Sequence, residues 1–109
     1  MAEITDFHAH IYFDPGELEQ AQALAGAAQE KFDLSVGRFH QRPVGPHPRG
    51  SCQLTLSPSD FGAFAVWASV HRGGLTIFAH ASTGNDRDDH MKHVIWFGPS
   101  ERLNLSIFG

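Results

Sequence analysis

At 109 residues, with 41% hydrophobic and 18% charged positions, the chain has the composition of one soluble globular domain, residues 1–109, with a single core and little stability to spare. A net charge of −4 gives no basic footprint for nucleic acid, and no apolar run approaches the length needed to cross a bilayer. The single cysteine, Cys52, excludes an internal disulfide and a cysteine-built zinc finger, which leaves histidine and carboxylate oxygen as candidate metal ligands.

From Ile4 to Phe13 the residues alternate as a strand does. Asp14-Pro15-Gly16-Glu17 then reads as a helix start, with Asp14 as N-cap and proline at the first helical position. Leu18, Ala21, Ala25, Ala28 and Phe32 follow at helical spacing. A short strand is expected from Ser35 to His40, then a proline- and glycine-rich loop from Gln41 to Gly50, then a third strand from Cys52 to Leu56. Ser57-Pro58-Ser59-Asp60 repeats the grammar of cap, proline and acid. It opens a helix with Phe61, Phe64, Ala65 and Ala68 on one side. Gly73-Gly74 ends that helix, and Leu75 to Ala79 makes a fourth strand. Beyond it come an acidic loop from Gly84 to Asp89, the apolar run Val94-Ile95-Trp96-Phe97, and a possible fifth strand from Leu103 to Phe108.

The order β-α-β-β-α-β predicts an α+β ferredoxin-like sandwich: an antiparallel four-stranded sheet, two helices on one face, and a C-terminal extension. The first and third strands should be central. If Phe7, Ile11, Leu54, Leu56, Leu75 and Ile77 point at the helices, then His8, His10, Tyr12, Gln53, Thr55 and His80 line the uncovered face. The last thirty residues would fold over that face or pair with a second subunit.

Eight histidines populate this short chain, and they are unevenly placed. Neutral imidazole is the commonest transition-metal ligand and the side chain titrating nearest neutral pH. His8-Ala9-His10 on a strand projects both rings to one side about 7 Å apart, so a shared ion requires a twisted strand or a leaning ring. A lone strand histidine more often bonds a backbone carbonyl, but His80 on the same face shifts the balance toward a site. His47 is clamped between Pro46 and Pro48, whose fixed φ stiffens the backbone; an exposed turn histidine is the equal alternative. His90 follows a run of acids that could orient its ring or complete a facial triad. His40, His71 and His93 read as structural, with His71 in the last turn of a helix where a cation is favoured. Arg38, Arg42 and Arg49 fall close enough to leave a local anion site open. Without a basic segment followed by an apolar one at its start, the chain is expected to be cytoplasmic.

Two matches fail on physical grounds. Asp6-Phe7-His8-Ala9-His10 looks like the strand-end motif of barrel amidohydrolases, but a (β/α)₈ barrel needs roughly 250 residues. The cupins share His-x-His, but they are built of many short strands rather than two capped helices.

A third match is specific. Phe7-His8-Ala9-His10-Ile11-Tyr12-Phe13, Val44-Gly45-Pro46-His47-Pro48, and His80-Ala81-Ser82-Thr83-Gly84 followed by Asp89-His90 and Trp96-Phe97-Gly98 resemble the DOPA 4,5-dioxygenase family of fungi and bacteria. The likeness holds in order and spacing from about Asp6 to Gly98. It implies an enzyme: a non-haem Fe(II) extradiol dioxygenase that opens the ring of DOPA or a related catechol with O2. It implies His10, His47 and His80 as metal ligands, with His8 and His90 as acid/base or supporting groups. Arg49 would hold a substrate carboxylate through a bidentate pair, and Tyr12 would orient the substrate. Imidazoles suit Fe(II), or another divalent metal such as zinc, and leave positions open, while a further histidine can take the catechol proton. A carboxylate ligand would have to come from Asp86, Asp88 or Asp89; otherwise the site is all-histidine.

The expected partners are a small catechol and O2, with neither nucleic acid nor membrane, and a homodimer through Ile95-Trp96-Phe97. The main rival is a divalent-metal or small-ligand binding module that keeps the fold and histidines without catalysis. A weaker one is an interaction protein whose open sheet face is a dimer interface.

Overall fold

A computed structural model describes residues 3–109. Strands β1 (Asp6–Phe13), β2 (Leu34–His40), β3 (Gly50–Leu56), β4 (Ile77–Ser82) and β5 (Val94–Phe97) form one sheet in the order β2-β3-β1-β4-β5. Every neighbouring pair is antiparallel. The first and third strands are interior, as expected, and β4 is interior too because β5 covers its outer edge.

The sheet therefore has five strands rather than four, and the fifth is not the expected segment. Leu105–Phe108 is a single 3-10 turn, capped by Asn104 accepting from the Ser106 N–H. The strand is Val94–Phe97, paired with β4 from Ile77↔Phe97 to His80↔Val94. Its apolar run is covered unevenly: Phe97 enters the helix-side core and Trp96 packs 4.7 Å from the Phe78 ring on the other face, while Ile95 stays exposed.

Helices α1 (Leu18–Lys31) and α2 (Pro58–His71) cover one face of the sheet. A 3-10 turn, Pro15–Glu17, precedes α1, where the Glu17 carboxylate reaches back to accept from the Asp14 N–H at 2.8 Å. Helix α1 buries Ala21, Leu24, Ala25 and Ala28; α2 buries Phe61, Phe64 and Ala68. They pack on Ala9, Ile11, Phe13, Leu54, Leu56, Ile77 and Ala79 from the sheet. Each large side chain so buried stabilises the fold by about 1.5–3 kcal/mol. Gly73, at φ 57°, makes the left-handed stop after α2. No described helix is long and apolar enough to cross a membrane.

The acidic segment expected as a loop is instead a short helix, α3 (Asp86–Met91), with the Asn85 side chain accepting from the Asp88 N–H at its start. Helix α3, the His47 loop and the C-terminal segment roof the second sheet face. Asn104 N–H donates to the Pro46 carbonyl at 2.9 Å, and the Arg87 guanidinium donates to the Gly109 carbonyl at 3.1 Å.

One irregularity interrupts β2. Val36 pairs with Leu54 and Phe39 with Cys52, so Gly37 and Arg38 together oppose Gln53 in a β-bulge. A Cβ on Gly37 would sit 3.2 Å from the Gln53 carbonyl, which favours glycine at the bend.

Candidate metal centre

The alternation of β1 that sends Ala9, Ile11 and Phe13 into the core sends His8, His10 and Tyr12 to the opposite face. β4 lies beside it in register, with His8 opposite His80 and His10 opposite Phe78. The two strands thus bring three imidazoles from distant sequence positions into one patch. One ligand nitrogen from each of His8, His10 and His80 lies within 4.8 Å of the others. The rings lean as the strand geometry demands: His8 and His10 are turned 83° to each other, with centroids 6.1 Å apart.

His10 and His80 point Nε2 at Nε2 across 3.4 Å. That separation is close to the edge, about 3.3–3.4 Å, between two nitrogens each about 2.0–2.1 Å from a tetrahedral ion. The Nδ1–H of His80 donates to the Ala81 carbonyl at 3.0 Å, which leaves the Nε2 lone pair for a metal. His8 approaches Asp6 through Nε2, 3.6 Å from the carboxylate.

His47 and His90 complete a cluster of five rings. The loop between β2 and β3 turns through Gly45 and buries His47 against His10, centroids 4.2 Å apart. Its Nδ1 bonds the Tyr12 hydroxyl at 2.7 Å. His90 stands on α3 with its ring 4.2 Å from that of His80, its Nδ1–H donating to the Asp86 carbonyl at 2.7 Å. Phe108, from the terminal turn, closes over His90.

Burial sets the protonation of His8, His10, His47 and His80. Desolvation, reinforced by neighbouring imidazoles, holds His10 well below the usual histidine value. It brings His47 and His80 down to about 4 and lowers His8 as well, against the opposing pull of Asp6. The Tyr12 phenol moves up, chiefly by burial, and stays protonated. At neutral pH these are uncharged imidazoles with lone pairs to offer, the state a divalent metal requires. The Ser82 hydroxyl, on the same sheet face, is the one buried side-chain oxygen or nitrogen among the described residues without a hydrogen-bond partner.

No carboxylate joins these nitrogens. Asp89 is buried, but both its oxygens are taken by Thr83, through the backbone N–H at 2.8 Å and the hydroxyl at 2.6 Å. Asp88 pairs with Lys92 at 3.3 Å. Among the described residues the donor set is all-histidine. Of the expected metal ligands, His10 and His80 meet nitrogen to nitrogen, and His47 lies beside His10. His8, expected as an acid/base group, is the residue whose nitrogen converges with theirs.

Arg49, expected to hold a substrate carboxylate, is already occupied. Its Nε and Nη2 grip both oxygens of Glu101 at 3.0 and 2.7 Å, and Nη1 reaches Asp14 at 3.1 Å. A cavity of about 310 Å³ opens instead between β2, β3 and the His47 loop. Its lining includes His10, His47, His40, Gln53, Thr55 and Arg38. His40, expected as structural, thus contributes to a cavity wall. The ring of His71, in the last turn of α2, bonds the Trp67 carbonyl at 2.8 Å.

Comparison with known proteins agrees with this architecture. Residues 7–107 match the Dopa 4,5-dioxygenase family. A DOPA 4,5-dioxygenase of Amanita muscaria is 32% identical, over 96% of this chain and 50% of its own length. An uncharacterized 21.2 kDa protein of Botryotinia fuckeliana is 33% identical, over 93% of this chain and 62% of its own length. The chain thus spans about half to three-fifths of these curated relatives. The crystal structure of a "putative dioxygenase" from Nostoc punctiforme superposes with a TM-score of 0.91 at 34% identity, covering 96% of this chain and 90% of that one. The chain belongs to the Dopa 4,5-dioxygenase family.

Proposed function

We propose that this protein is a non-haem Fe(II) extradiol dioxygenase that opens the ring of DOPA or a related catechol, on a ferredoxin-like sheet extended by β5. The observation that carries the reading is the convergence of neutral imidazoles beside a cavity of single-ring size. The volume of about 310 Å³ sits at the small end of small-molecule sites, roughly 300–1,000 Å³.

The donor chemistry fits a divalent ion, and the geometry favours His8, His10 and His80 as its holders. Bound there, the metal would supply Lewis acidity to the catechol hydroxyls and the redox capacity that O2 chemistry needs. The protein's own groups do the rest. His47 lines the cavity with His10 and is fixed by Tyr12. In the tautomer whose Nδ1–H donates to the Tyr12 oxygen, Nε2 would be the acceptor for a catechol proton. Held neutral by burial, that imidazole would take the proton and pass it on. His8 and His47 therefore exchange the roles the sequence resemblance implied. His90 packs against His80, and Phe108 in turn against His90, which limits water on that side.

The test is anaerobic loading with Fe(II), then oxygen uptake and visible absorbance on adding L-DOPA and other catechols. Stoichiometric uptake with a yellow ring-opened product is expected. A fully iron-loaded protein that consumes no oxygen with any catechol would overturn the reading in favour of a binding module.

A further inference from the structure

Arg38 and Arg49 lie in very different electrostatic settings. Arg49 faces Asp14, Glu17 and Glu101, with oxygens at 3.1, 3.7 and 2.7 Å. An incoming carboxylate would have to displace Glu101 and would meet two further negative charges. Arg38 has no ion pair among the described residues. The cavity it lines contains no aspartate or glutamate.

The placement of Arg38 is a product of the bulge. In an unbroken strand Arg38 would share the face of Val36, two residues earlier, and point toward the helices. The extra residue puts Gly37 and Arg38 together opposite Gln53, returns Phe39 to the core beside Phe13, and brings Arg38 into the cavity wall with His10 and His47. Bulges beside sites commonly re-aim a side chain in this way.

We propose that Arg38 is the specificity-determining residue of this site, and that it selects catechols whose side chain carries a carboxylate. The inference rests on the catechol reading above. A ring seated in that cavity, with its hydroxyls on the His10 side, would direct its side chain past Gln53 toward Arg38, which lines the same cavity and is exposed to solvent. A planar guanidinium receives a carboxylate through two parallel N–H donors.

The probe pair is dihydrocaffeate and ethylcatechol, which differ by the carboxylate alone. Their affinities are measured by calorimetry under nitrogen on the full chain and on Arg38→Ala, Arg38→Lys and Arg42→Ala. The wild-type chain should prefer dihydrocaffeate by about tenfold, the worth of a charge-assisted hydrogen bond. Arg38→Ala should erase the preference by weakening dihydrocaffeate only, Arg38→Lys should keep part of it, and Arg42→Ala, outside the cavity lining, should keep all of it. Equal affinities in the wild-type chain, no binding of dihydrocaffeate, or a preference that survives Arg38→Ala would each overturn the assignment. Oxygen uptake on the same pair separates the two proposals: selective binding without uptake removes ring opening and keeps Arg38, whereas uptake indifferent to Arg38 does the reverse.

Discussion

The two faces of the sheet are written by the same strands yet governed by opposite physics. Along β1, Ala9, Ile11 and Phe13 enter a core with α1 and α2, where burial is favourable at every atom. The alternate residues His10 and Tyr12 are equally buried, but there burial disfavours charge. The Nε2 atoms of His10 and His80, 3.4 Å apart and able to share one hydrogen bond, are also spaced to hold a cation in place of that proton. The helix face supplies stability, and the roofed face consumes some of it to hold ligands in place.

The comparison breaks most sharply at His10. His10→Ala should abolish metal binding and turnover while leaving the fold intact, as seen by metal analysis and circular dichroism. The matching change on the other face, Phe64→Ala, should cost about 3–5 kcal/mol in a denaturant titration. Below its lowered melting temperature that variant should bind the same amount of metal as the wild-type chain.

Acid should act strongly through the roofed face. His47 and His80 have folded values of about 4, below the 6.5 of the unfolded chain, so between those limits the unfolded state binds more protons. Their contribution to stability is full above pH 6.5 and is lost as pH falls toward 4. Metal-free protein should therefore melt at a lower temperature at pH 5 than at pH 7, and bound metal should widen that gap. A smaller effect is expected at the rim. Glu101→Gln weakens a partly exposed pair with Arg49, which should cost about 0.5–1 kcal/mol and leave selectivity for dihydrocaffeate unchanged.

Much of this was legible in the sequence because the strands alternate cleanly. His8, His10, Tyr12 and His80 could be assigned to one face from period two alone, and the two Pro-started helices from their caps. What escaped was non-local or short. Val94–Phe97 is an apolar run of four residues in which no alternation can be seen, and its strand character comes from pairing with β4. Helix α3 has no apolar stripe; Asn85 at its start and the Asp89 clamp on Thr83 hold it. The bulge inverts the expected face of Arg38, and its only signal in the letters is a glycine inside a strand. Arg49 could not be known to be occupied, because Glu101 lies 52 positions further along the chain.

The most direct test of the central claim is the metal content of three chains: wild type, His8→Ala and His47→Ala, each reconstituted anaerobically with Fe(II) and desalted. The convergence of His8 with His10 and His80 predicts that His47→Ala retains iron and loses turnover, while His8→Ala loses iron. Iron lost from His47→Ala and kept by His8→Ala would contradict it and place the metal between His10, His47 and His80.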